Sequence, residues 1–414
     1  MNILHLAHSN HIGGASRYAV RVHQALLASE HQTTLISSSY AKGIAESFPI
    51  FIRKNWVRNF FIPKITQTLD SKILNLEKEK LKKFKSPNLF GAVSAKDINK
   101  SNFDVVNLHW INGGTISLKT VRKIEKPIVW HVLDQWPMAG AQHYMDSQSL
   151  YRMNNNYSKE SRSILDSGLD FDRICWNLKI KVHPRISAYI AISSWVKQML
   201  LKNPYVNPEK IIVINPPVDT TSFFPENKSK AKIKLGIDPD NFVIGYAGAT
   251  SFRKGWDEVS ELLIKPIKFK RKVSWLFFGG ASKPSKTINN NQKIYYFGQI
   301  RDDDKLRNLY SAMDLLVFPS KVEALGLIAQ EAMTCGTPII TYRETGTATI
   351  VKDGINGMTI SSFQNNLRDS IFELTCDDEK LQIWSKNAAK YAKDNWSYSS
   401  VVQNYLKLYK SLTK

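Results

Sequence analysis

The sequence is poor in cysteine, in acidic residues and in long apolar runs. Its cysteines, Cys175, Cys335 and Cys376, are widely separated and form no Cys-x-x-Cys pair. An odd, scattered set of this kind supports neither a disulfide framework nor a zinc site, and it fits a reducing compartment. No apolar stretch approaches 18 residues, and the N-terminus lacks a basic start followed by an apolar core. We therefore expect a cytoplasmic protein without a signal peptide or a membrane span.

The shortage of acids leaves a strongly basic chain, with 57 lysines and arginines against 36 acids and a net charge of +21. Residues 53–100 hold twelve of the cations against four acids, interleaved with apolar side chains such as Trp56, Phe60 and Phe61. One interpretation is a peripheral contact with an anionic membrane surface, where each basic side chain contributes about 1 kcal/mol. A solvated helical face with paired charges explains the segment equally well.

The order of apolar runs predicts an α/β protein with two domains, since 414 residues exceed what one core usually organises. Predicted strands of the first domain lie at 2–7, 33–38, 104–108, 127–133 and 187–192. Those of the second lie at 211–214, 242–247, 273–278, 294–297, 314–317 and 338–341, with helices near 255–264, 303–313, 326–335 and 346–352. Each set has the rhythm of a doubly wound, Rossmann-like sheet.

The domain boundaries follow from prolines and from a helical tail. Asn215-Pro216-Pro217 interrupts any regular element, because proline lacks a backbone donor. We therefore predict domains at 1–215 and 216–395, facing a central cleft. Residues 396–414 show apolar side chains at helical spacing and are predicted to cross back onto the first domain.

Two glutamates eight positions apart, Glu323 and Glu331, are the most informative feature. A buried strand at 314–317 precedes them, and the helical pattern starts at Gly326 and Leu327. The free N–H groups of such a helix lie at the carboxyl edge of the sheet, where they favour phosphate. Carboxylates accept hydrogen bonds from vicinal hydroxyls, so Glu323 is the candidate for a transferred sugar and Glu331 for a ribose. The alternative is a solvated pair of acids.

Other strand ends carry further candidates for the same ligand. Gly13-Gly14 follows the first strand and opens a helix predicted at 15–28, so backbone can approach a ligand there. The pair is no dinucleotide fingerprint, since the third glycine is missing. Arg253 and Lys254 follow the strand that ends near Gly248, where cations would bind a diphosphate and stabilise the charge that develops on it. Solvated turns are the alternative interpretation.

The acidic run 302–304 contains an Asp-x-Asp, a pattern that can hold a divalent metal. A helical stripe follows it, so capping of that helix is the simpler interpretation. His143 and Cys175 form no ligand cluster by spacing. We predict no metal and no resident cofactor.

Glu323 and Glu331 with their flanking strand, helix and Gly336-Thr-Pro338 turn resemble the signature of retaining GT-B glycosyltransferases, specifically family 4. The resemblance extends over nearly the whole chain, and the segments at 130–137 and 191–195 are most similar to members that build bacterial surface polysaccharide. It implies the GT-B fold and transfer, with retention, from a nucleotide diphosphate sugar to a saccharide, expected to be lipid-linked.

The resemblance also implies roles for individual residues. His109, after the strand 104–108, matches a histidine beside the transferred sugar, although a histidine satisfied by backbone is the alternative. Asp134 lies in a similar position and is the candidate for the acceptor hydroxyl, with capping equally compatible. Many relatives carry an arginine directly after the glycine that matches Gly248, where this chain has Ala249, so Arg253 is the candidate to supply that charge.

Two other functions stay open at this point. The charge and the aromatic residues of 53–100 fit a polyanion-binding or nucleic-acid-binding protein, but no nucleic-acid motif is present, so we expect no nucleic-acid partner. A sugar phosphorylase would need a coenzyme lysine or a phosphate site, for which no residue stands out. Uridine, guanosine and adenosine diphosphate sugars are all compatible with the predicted donor site.

Overall fold

The computed structural model describes residues 1–49, 56–79, 83–248, 250–364 and 366–413. Parts of the predicted basic segment (53–55 and 80–82, with the side chains of Trp56, Phe60 and Phe61) lie outside the described residues, as does Ala249.

The chain divides into two compact units. The first contains Met1–Pro217 and Val401–Lys414, and the second contains Val218–Ser400. The first boundary falls two residues beyond the predicted one. The C-terminal division falls five residues after the predicted position, and the segment beyond it belongs to the first unit.

The first unit is built on a parallel sheet. Its strands are β1 (Asn2–Ser9), β2 (Gln32–Ser39), β3 (Ser47–Pro49), β4 (Glu77–Lys78), β5 (Val105–Leu108), β6 (Ile128–Val132), β7 (Ser167–Gly168), β8 (Ala188–Ala191) and β9 (Ile211–Val213). Seven of them form the sheet in the order β3-β2-β1-β5-β6-β8-β9, with every neighbouring pair parallel. The short β4 and β7 pair with each other in antiparallel fashion.

Helices cover this sheet. They are α1 (Gly13–Ala28), α2 (Trp56–Lys72), α3 (Ala95–Asn99), α4 (Leu118–Val121), α5 (Ser147–Asn154), α6 (Phe171–Ile180) and α7 (Ser194–Leu200). The strands β5, β6 and β8 are buried along their whole length. Continuous apolar runs of this kind are typical of parallel strands that are covered on both faces.

The second unit repeats the design. Its strands are β10 (Phe242–Ala247), β11 (Val273–Phe278), β12 (Lys286–Asn289), β13 (Gln292–Tyr296), β14 (Leu315–Phe318), β15 (Ile339–Tyr342) and β16 (Gly357–Ile360). They lie in the order β12-β13-β11-β10-β14-β15-β16, all parallel except the β12–β13 pair. The helices are α8 (Lys228–Lys234), α9 (Trp256–Ile264), α10 (Asp303–Ala312), α11 (Leu327–Thr334), α12 (Leu367–Leu374) and α13 (Asp378–Trp396). The last helix, α14 (Tyr398–Leu412), belongs to the first unit from Val401 onward.

Strand order reverses once in each sheet. The chain leaves β1 toward β2 on one side and returns to β5 on the other, and it leaves β10 toward β11 before returning to β14. The loops that follow the two strands at such a reversal diverge, which opens a crevice at the carboxyl edge of the sheet. The predicted α/β class with two Rossmann-like sheets is confirmed.

One strand was assigned to the wrong sheet. The prediction placed 211–214 at the start of the second set, but Ile211 pairs with Tyr189 of β8, so β9 is the edge of the first sheet. Helix α7 connects these two parallel neighbours, and a helical crossover of this kind is the common link between adjacent parallel strands. The helix predicted at 346–352 is a short 3-10 turn, Gly346–Ile350.

Buried histidines fill part of the first unit. The ring nitrogen His5 Nδ1 lies 2.8 Å from His109 Nε2, and the His109 and His131 rings are 4.2 Å apart. Tyr18 Oη lies 2.7 Å from His131 Nδ1 and 3.0 Å from Tyr405 Oη of α14. The C-terminal helix is therefore hydrogen-bonded to α1 through this cluster.

Acid should destabilise the first unit through this cluster. Burial, together with neighbouring imidazoles, holds the pKa of His5, His109 and His131 well below its usual value of 6.5. The unfolded chain therefore binds more protons once the pH falls below about 6.5. The contribution of this cluster to stability should be level above that pH and should fall below it by about 1.4 kcal/mol per pH unit for each ring.

Urea unfolding followed by tryptophan fluorescence at pH 7.5, 6.5 and 5.5 measures this slope. His109→Phe, which removes one titrating ring, should make the slope shallower than in the wild type. A free energy of unfolding that stays constant between pH 7.5 and 5.5 would contradict the prediction.

Candidate active site

Three candidate residues of the second unit meet where its strand order reverses. Lys254 lies in the loop after β10, and Glu323 lies in the loop after β14. Lys254 Nζ is 2.5 Å from Glu323 Oε2, and Arg253 Nη1 is 3.7 Å from the same oxygen. The Lys254 and Glu323 side chains are 16% and 17% exposed, so this ion pair is partly open to a ligand.

Backbone contacts join the two loops and fix the pair. Lys321 N donates to the Arg253 carbonyl at 2.8 Å, and Arg253 Nη1 donates to the Val322 carbonyl at 3.0 Å. Gly255 adopts φ +70°, and a side chain there would meet the Pro319 carbonyl at 2.1 Å. Only glycine therefore allows this approach of the loop after β10 to the loop after β14.

Helix α11 begins beside the ion pair. Gly326 precedes it with φ +86°, and a Cβ at Gly326 would lie 2.9 Å from the Phe318 ring and 3.2 Å from Thr347 Oγ1. The first helical N–H groups, those of Leu327 and Ile328, have no carbonyl within the helix to bond. Thr347 Oγ1 is buried without a hydrogen-bond partner. Donor groups and a cation are thus gathered at one edge of the sheet.

Glu331 lies in a different environment from Glu323. It is 1% exposed, and its Oε2 accepts a hydrogen bond from the Tyr310 hydroxyl at 2.6 Å. The structure therefore brings Arg253, Lys254 and Glu323 together but holds Glu331 within the packing between α10 and α11. Its role toward a ribose stays a prediction.

The candidates of the first unit follow β1 and β5, at the reversal of that sheet. Gly14 is exposed at the start of α1, and a Cβ there would meet no atom within 4 Å. His109 is 1% exposed, with its Nε2 toward His5 and its Nδ1 buried without a partner. The proximity of His109 to a transferred sugar stays a prediction, since its ring is enclosed in the histidine cluster.

Asp134 follows β6 and is held by three donors. Its Oδ2 lies 3.0 Å from Trp110 Nε1 and 2.6 Å from His143 Nδ1, and its Oδ1 accepts from Trp136 N at 2.9 Å. His143 Nε2 lies 2.8 Å from Ser86 Oγ. Both ring nitrogens of His143 therefore have hydrogen-bond partners, which hold the ring beside Asp134. The Asp134 side chain is 14% exposed.

Lys179 of α6 anchors the loop that carries Asp134. Its buried ammonium donates to the carbonyls of Trp136, Ala139 and Gly140, at 3.2 Å for Ala139 and 2.6 Å for Gly140. It also lies 3.7 Å from the Trp136 ring centroid. Burial lowers the pKa of Lys179 to about 7. One side chain thus donates hydrogen bonds to three backbone carbonyls of this loop.

Trp110, His143 and Lys179 were not among the residues selected from the sequence. Trp110 directly follows His109, within a segment that carries the resemblance, whereas His143 lies beyond the segment 130–137. Lys179 carries no local signal, because its partners lie about 40 residues earlier in the chain. His143 enters a hydrogen-bond network with Asp134, which spacing alone did not indicate.

The acidic run at 302–304 caps a helix, as predicted. Asp302 precedes α10, and its side chain accepts from Lys305 N at 2.8 Å. Among the described residues, the acids close enough to share a metal ion are Glu77, Asp170 and Asp172. Lys85 and Arg152 already pair with this group. The same part of the chain contains no helix that is long and apolar enough to cross a membrane.

Comparison with known families identifies this arrangement. Residues 12–222, just over half of the chain, match the model described as Glycosyltransferase Family 4. The chain belongs to glycosyltransferase family 4. Residues 227–391 of this family 4 protein match a second model, described as Glycosyl transferases group 1. The two matches correspond to the two units and leave only short segments uncovered.

Individual relatives share about half their length with this family 4 chain. The D-inositol 3-phosphate glycosyltransferase of Segniliparus rotundus is 26% identical over 215 residues, which are 50% of this chain and 48% of that protein. Anabaena HepE, solved in complex with UDP-glucose, superposes over 100% of both chains with a TM-score of 0.64 and 17% identity. Sucrose-phosphate synthase from Thermosynechococcus elongatus superposes with a TM-score of 0.67 and 16% identity, covering 100% of this chain and 99% of that one. The structural likeness shows the fold, and the predicted GT-B class is confirmed.

Substitution by alanine should change stability differently at two glycines. Gly326→Ala forces a side chain into the left-handed region against Phe318, so it should lower the free energy of unfolding by about 2 kcal/mol or more. Gly14→Ala meets open space within a helix and should leave stability unchanged or raise it by up to about 1 kcal/mol. Urea unfolding of the two variants beside the wild type measures both effects, and equal losses would contradict this account of the loops.

Proposed function

We propose that this protein transfers a sugar, with retention, from a nucleotide diphosphate sugar to a hydroxyl of a saccharide acceptor. The observation that carries the proposal is the Lys254–Glu323 ion pair beside the N-terminus of α11. A partly exposed cation, free helical N–H groups and a carboxylate at one crevice match the diphosphate and the hydroxyls of such a donor.

The ion pair suggests how the donor is held. Lys254 Nζ, now 2.5 Å from Glu323, would bridge to the diphosphate together with Arg253 and the N–H of Leu327. Glu323 would accept hydrogen bonds from hydroxyls of the transferred sugar. Gly14, exposed at the start of α1, is the candidate for a backbone contact with the donor, and Glu331 is the candidate for the ribose.

The bond changes balance without a resident cofactor. The bond between the anomeric carbon and the phosphate oxygen breaks as the bond to the acceptor oxygen forms on the same face. The acceptor proton passes to the departing diphosphate. Negative charge grows on that diphosphate during the step, so a fixed Lys254 stabilises the transition state more than the ground state. We propose that these cationic and N–H groups act without a metal ion.

The relatives support the proposal and suggest its setting. One is a D-inositol 3-phosphate glycosyltransferase by name, and one solved neighbour was captured with UDP-glucose. The structure of WaaG is described as that of a glycosyltransferase involved in lipopolysaccharide biosynthesis, with a TM-score of 0.57 and 14% identity. A role in bacterial surface polysaccharide synthesis on a lipid-linked acceptor is our proposal for this chain.

A nucleotide panel tests the donor site. Uridine, guanosine and adenosine diphosphates and their sugars are added to the wild type in a thermal and urea unfolding series, with and without EDTA. One nucleotide family, at about a hundredfold its dissociation constant, should add roughly 2.7 kcal/mol of stability. Lys254→Ala should abolish that gain, and EDTA should leave it unchanged.

Lys265→Ala is the matched control. Lys265 lies in the same unit, 76% exposed and paired only loosely with Glu261 at 3.7 Å, so its loss should leave nucleotide binding intact. Failure of every nucleotide to stabilise the protein, or full retention of the shift in Lys254→Ala, would contradict the donor site. Tight, salt-dependent binding to nucleic acid in that case would favour the polyanion-binding alternative.

We propose further that the first unit works at an anionic membrane surface. Helix α2 and the turn after it expose Ile65, Leu69 and Leu76 at 53%, 44% and 55%, with exposed Lys72 between them in sequence. Exposed apolar side chains with a cation among them suit the boundary between acyl chains and anionic headgroups.

Vesicle sedimentation tests this membrane contact. The protein should sediment with phosphatidylserine-containing vesicles at 50 mM salt and should be released at 500 mM, where charges are screened. Binding to neutral vesicles should be weaker. Leu69→Ser should reduce the bound fraction, whereas Ile233→Ser, at a 60% exposed position in the second unit, should not. Equal binding by Leu69→Ser and the wild type would contradict the proposal.

A further inference from the structure

An exposed aromatic group lies against the Asp134 network of the first unit. We define the aromatic shelf as Phe84, Trp110 and Tyr144. Phe84 is 58% exposed, Tyr144 is 36% exposed and Trp110 is half-buried. The Phe84 ring is within 3° of parallel to Trp110 at 6.5 Å and within 27° of parallel to Tyr144 at 6.4 Å. A large exposed phenylalanine among aligned rings indicates a contact surface rather than core.

The aromatic shelf is fixed by hydrogen-bonded backbone. His143 N donates to the Phe84 carbonyl at 3.1 Å, and Lys85 bridges Gln142 in antiparallel fashion. The His143 ring supports the shelf, with its centroid 4.4 Å from Phe84 and 5.2 Å from Trp110. The His143 ring thus restrains the Phe84 and Trp110 rings in the absence of a ligand, which lowers the entropic cost of binding.

Asp134 supplies a polar group at the same place. A carboxylate offers about four lone-pair positions, and Trp110, His143 and Trp136 donate to three of them. Trp110 belongs both to this set and to the aromatic shelf, so the acid lies at the edge of that ring. Oδ1 retains capacity for one further donor, and the side chain is 14% exposed. A ligand hydroxyl would complete the set.

Apolar ring faces beside a carboxylate favour a ligand that has both apolar faces and hydroxyl groups. A pyranose ring presents C–H groups on its faces, which pack against the electron-rich face of an aromatic ring, and hydroxyls on its rim, which donate to a carboxylate. A nucleotide suits the place less well, because its phosphates would be repelled by Asp134. An alkyl chain would leave that carboxylate without water or a donor.

We propose that the aromatic shelf and Asp134 form a binding subsite for one pyranose ring of the saccharide acceptor. The assignment of this ring to an acceptor rests on the proposed function, whereas the binding of a pyranose does not. Phe84 and Tyr144 supply the stacking surface, and Asp134 Oδ1 accepts the hydroxyl. His143 and Lys179 act as positioning residues for the acid and its loop.

Saturation-transfer NMR on the full chain, without nucleotide, tests the subsite. The probes are the methyl glycopyranosides of glucose, galactose, mannose and N-acetylglucosamine, each measured with 1-octanol as an apolar comparison. At least one glycoside should receive saturation at its ring C–H protons. Its affinity should fall about tenfold in Phe84→Ala and in Tyr144→Ala, as the loss of an aromatic contact implies. Both positions are exposed, so neither variant should unfold.

Phe363→Ala is the control, because Phe363 is 88% exposed in the second unit and should leave the signal intact. The proposal is overturned if no glycoside binds, or if Phe84→Ala binds as well as the wild type. It is also overturned if the shelf variants lose octanol but keep the glycoside. The glycoside measurement contains no nucleotide. If the nucleotide panel contradicts the proposed donor site, the glycoside result therefore still tests the pyranose subsite independently.

Discussion

The parallel direction of β10 and β14 is the constraint on which the second unit depends. Because both strands run the same way, their carboxyl ends meet at one edge, and because strand order reverses between them, their loops diverge there. That geometry places Lys254 against Glu323 although 69 residues separate them. It also aims the start of α11 at the same point. The proximity of the cation, the helical N–H groups and the carboxylate therefore follows from the topology of the sheet more than from the local sequence.

In the first unit, buried polar networks hold the candidate residue Asp134 and its loop in place. Lys179 holds three carbonyls of the loop after Asp134, and three donors hold the acid itself. Each such group would be costly to bury alone, so the networks are stable only when complete. Because Trp110 donates to Asp134, the complete network also holds this ring of the aromatic shelf beside the acid. The histidine cluster follows the same rule, with Tyr18 and Tyr405 linking the C-terminal helix to the sheet.

Much of this fold follows from the sequence. The principal strands of both sheets were predicted to within two residues, because parallel strands covered on both faces appear as continuous apolar runs. The capping role of Asp302 was equally visible, since an N-cap acts on residues three positions away. Glu323 and Lys254 were selected because each follows a predicted strand, which is where an α/β sheet presents its ligands.

The features that could not be predicted from the sequence depend on contacts between residues that are distant in the chain. Strand β9 was placed in the wrong sheet, because only its pairing with β8 decides membership. The burial of Glu331 on Tyr310 depends on the packing of α10 against α11, which the eight-residue spacing does not specify. Lys179 was missed for the same reason, since the carbonyls that it holds lie about 40 residues earlier in the chain. Local patterns thus predict elements, whereas the contacts between elements decide what each candidate residue can do.

We propose that Lys254 and the start of α11 bind the diphosphate of a sugar donor. The most direct test is a crystal structure of the full chain with a nucleoside diphosphate bound. A diphosphate oxygen should lie within hydrogen-bond distance of Lys254 Nζ, and another should lie near the Leu327 N–H. A diphosphate bound elsewhere, with the Lys254–Glu323 pair unchanged, would contradict it.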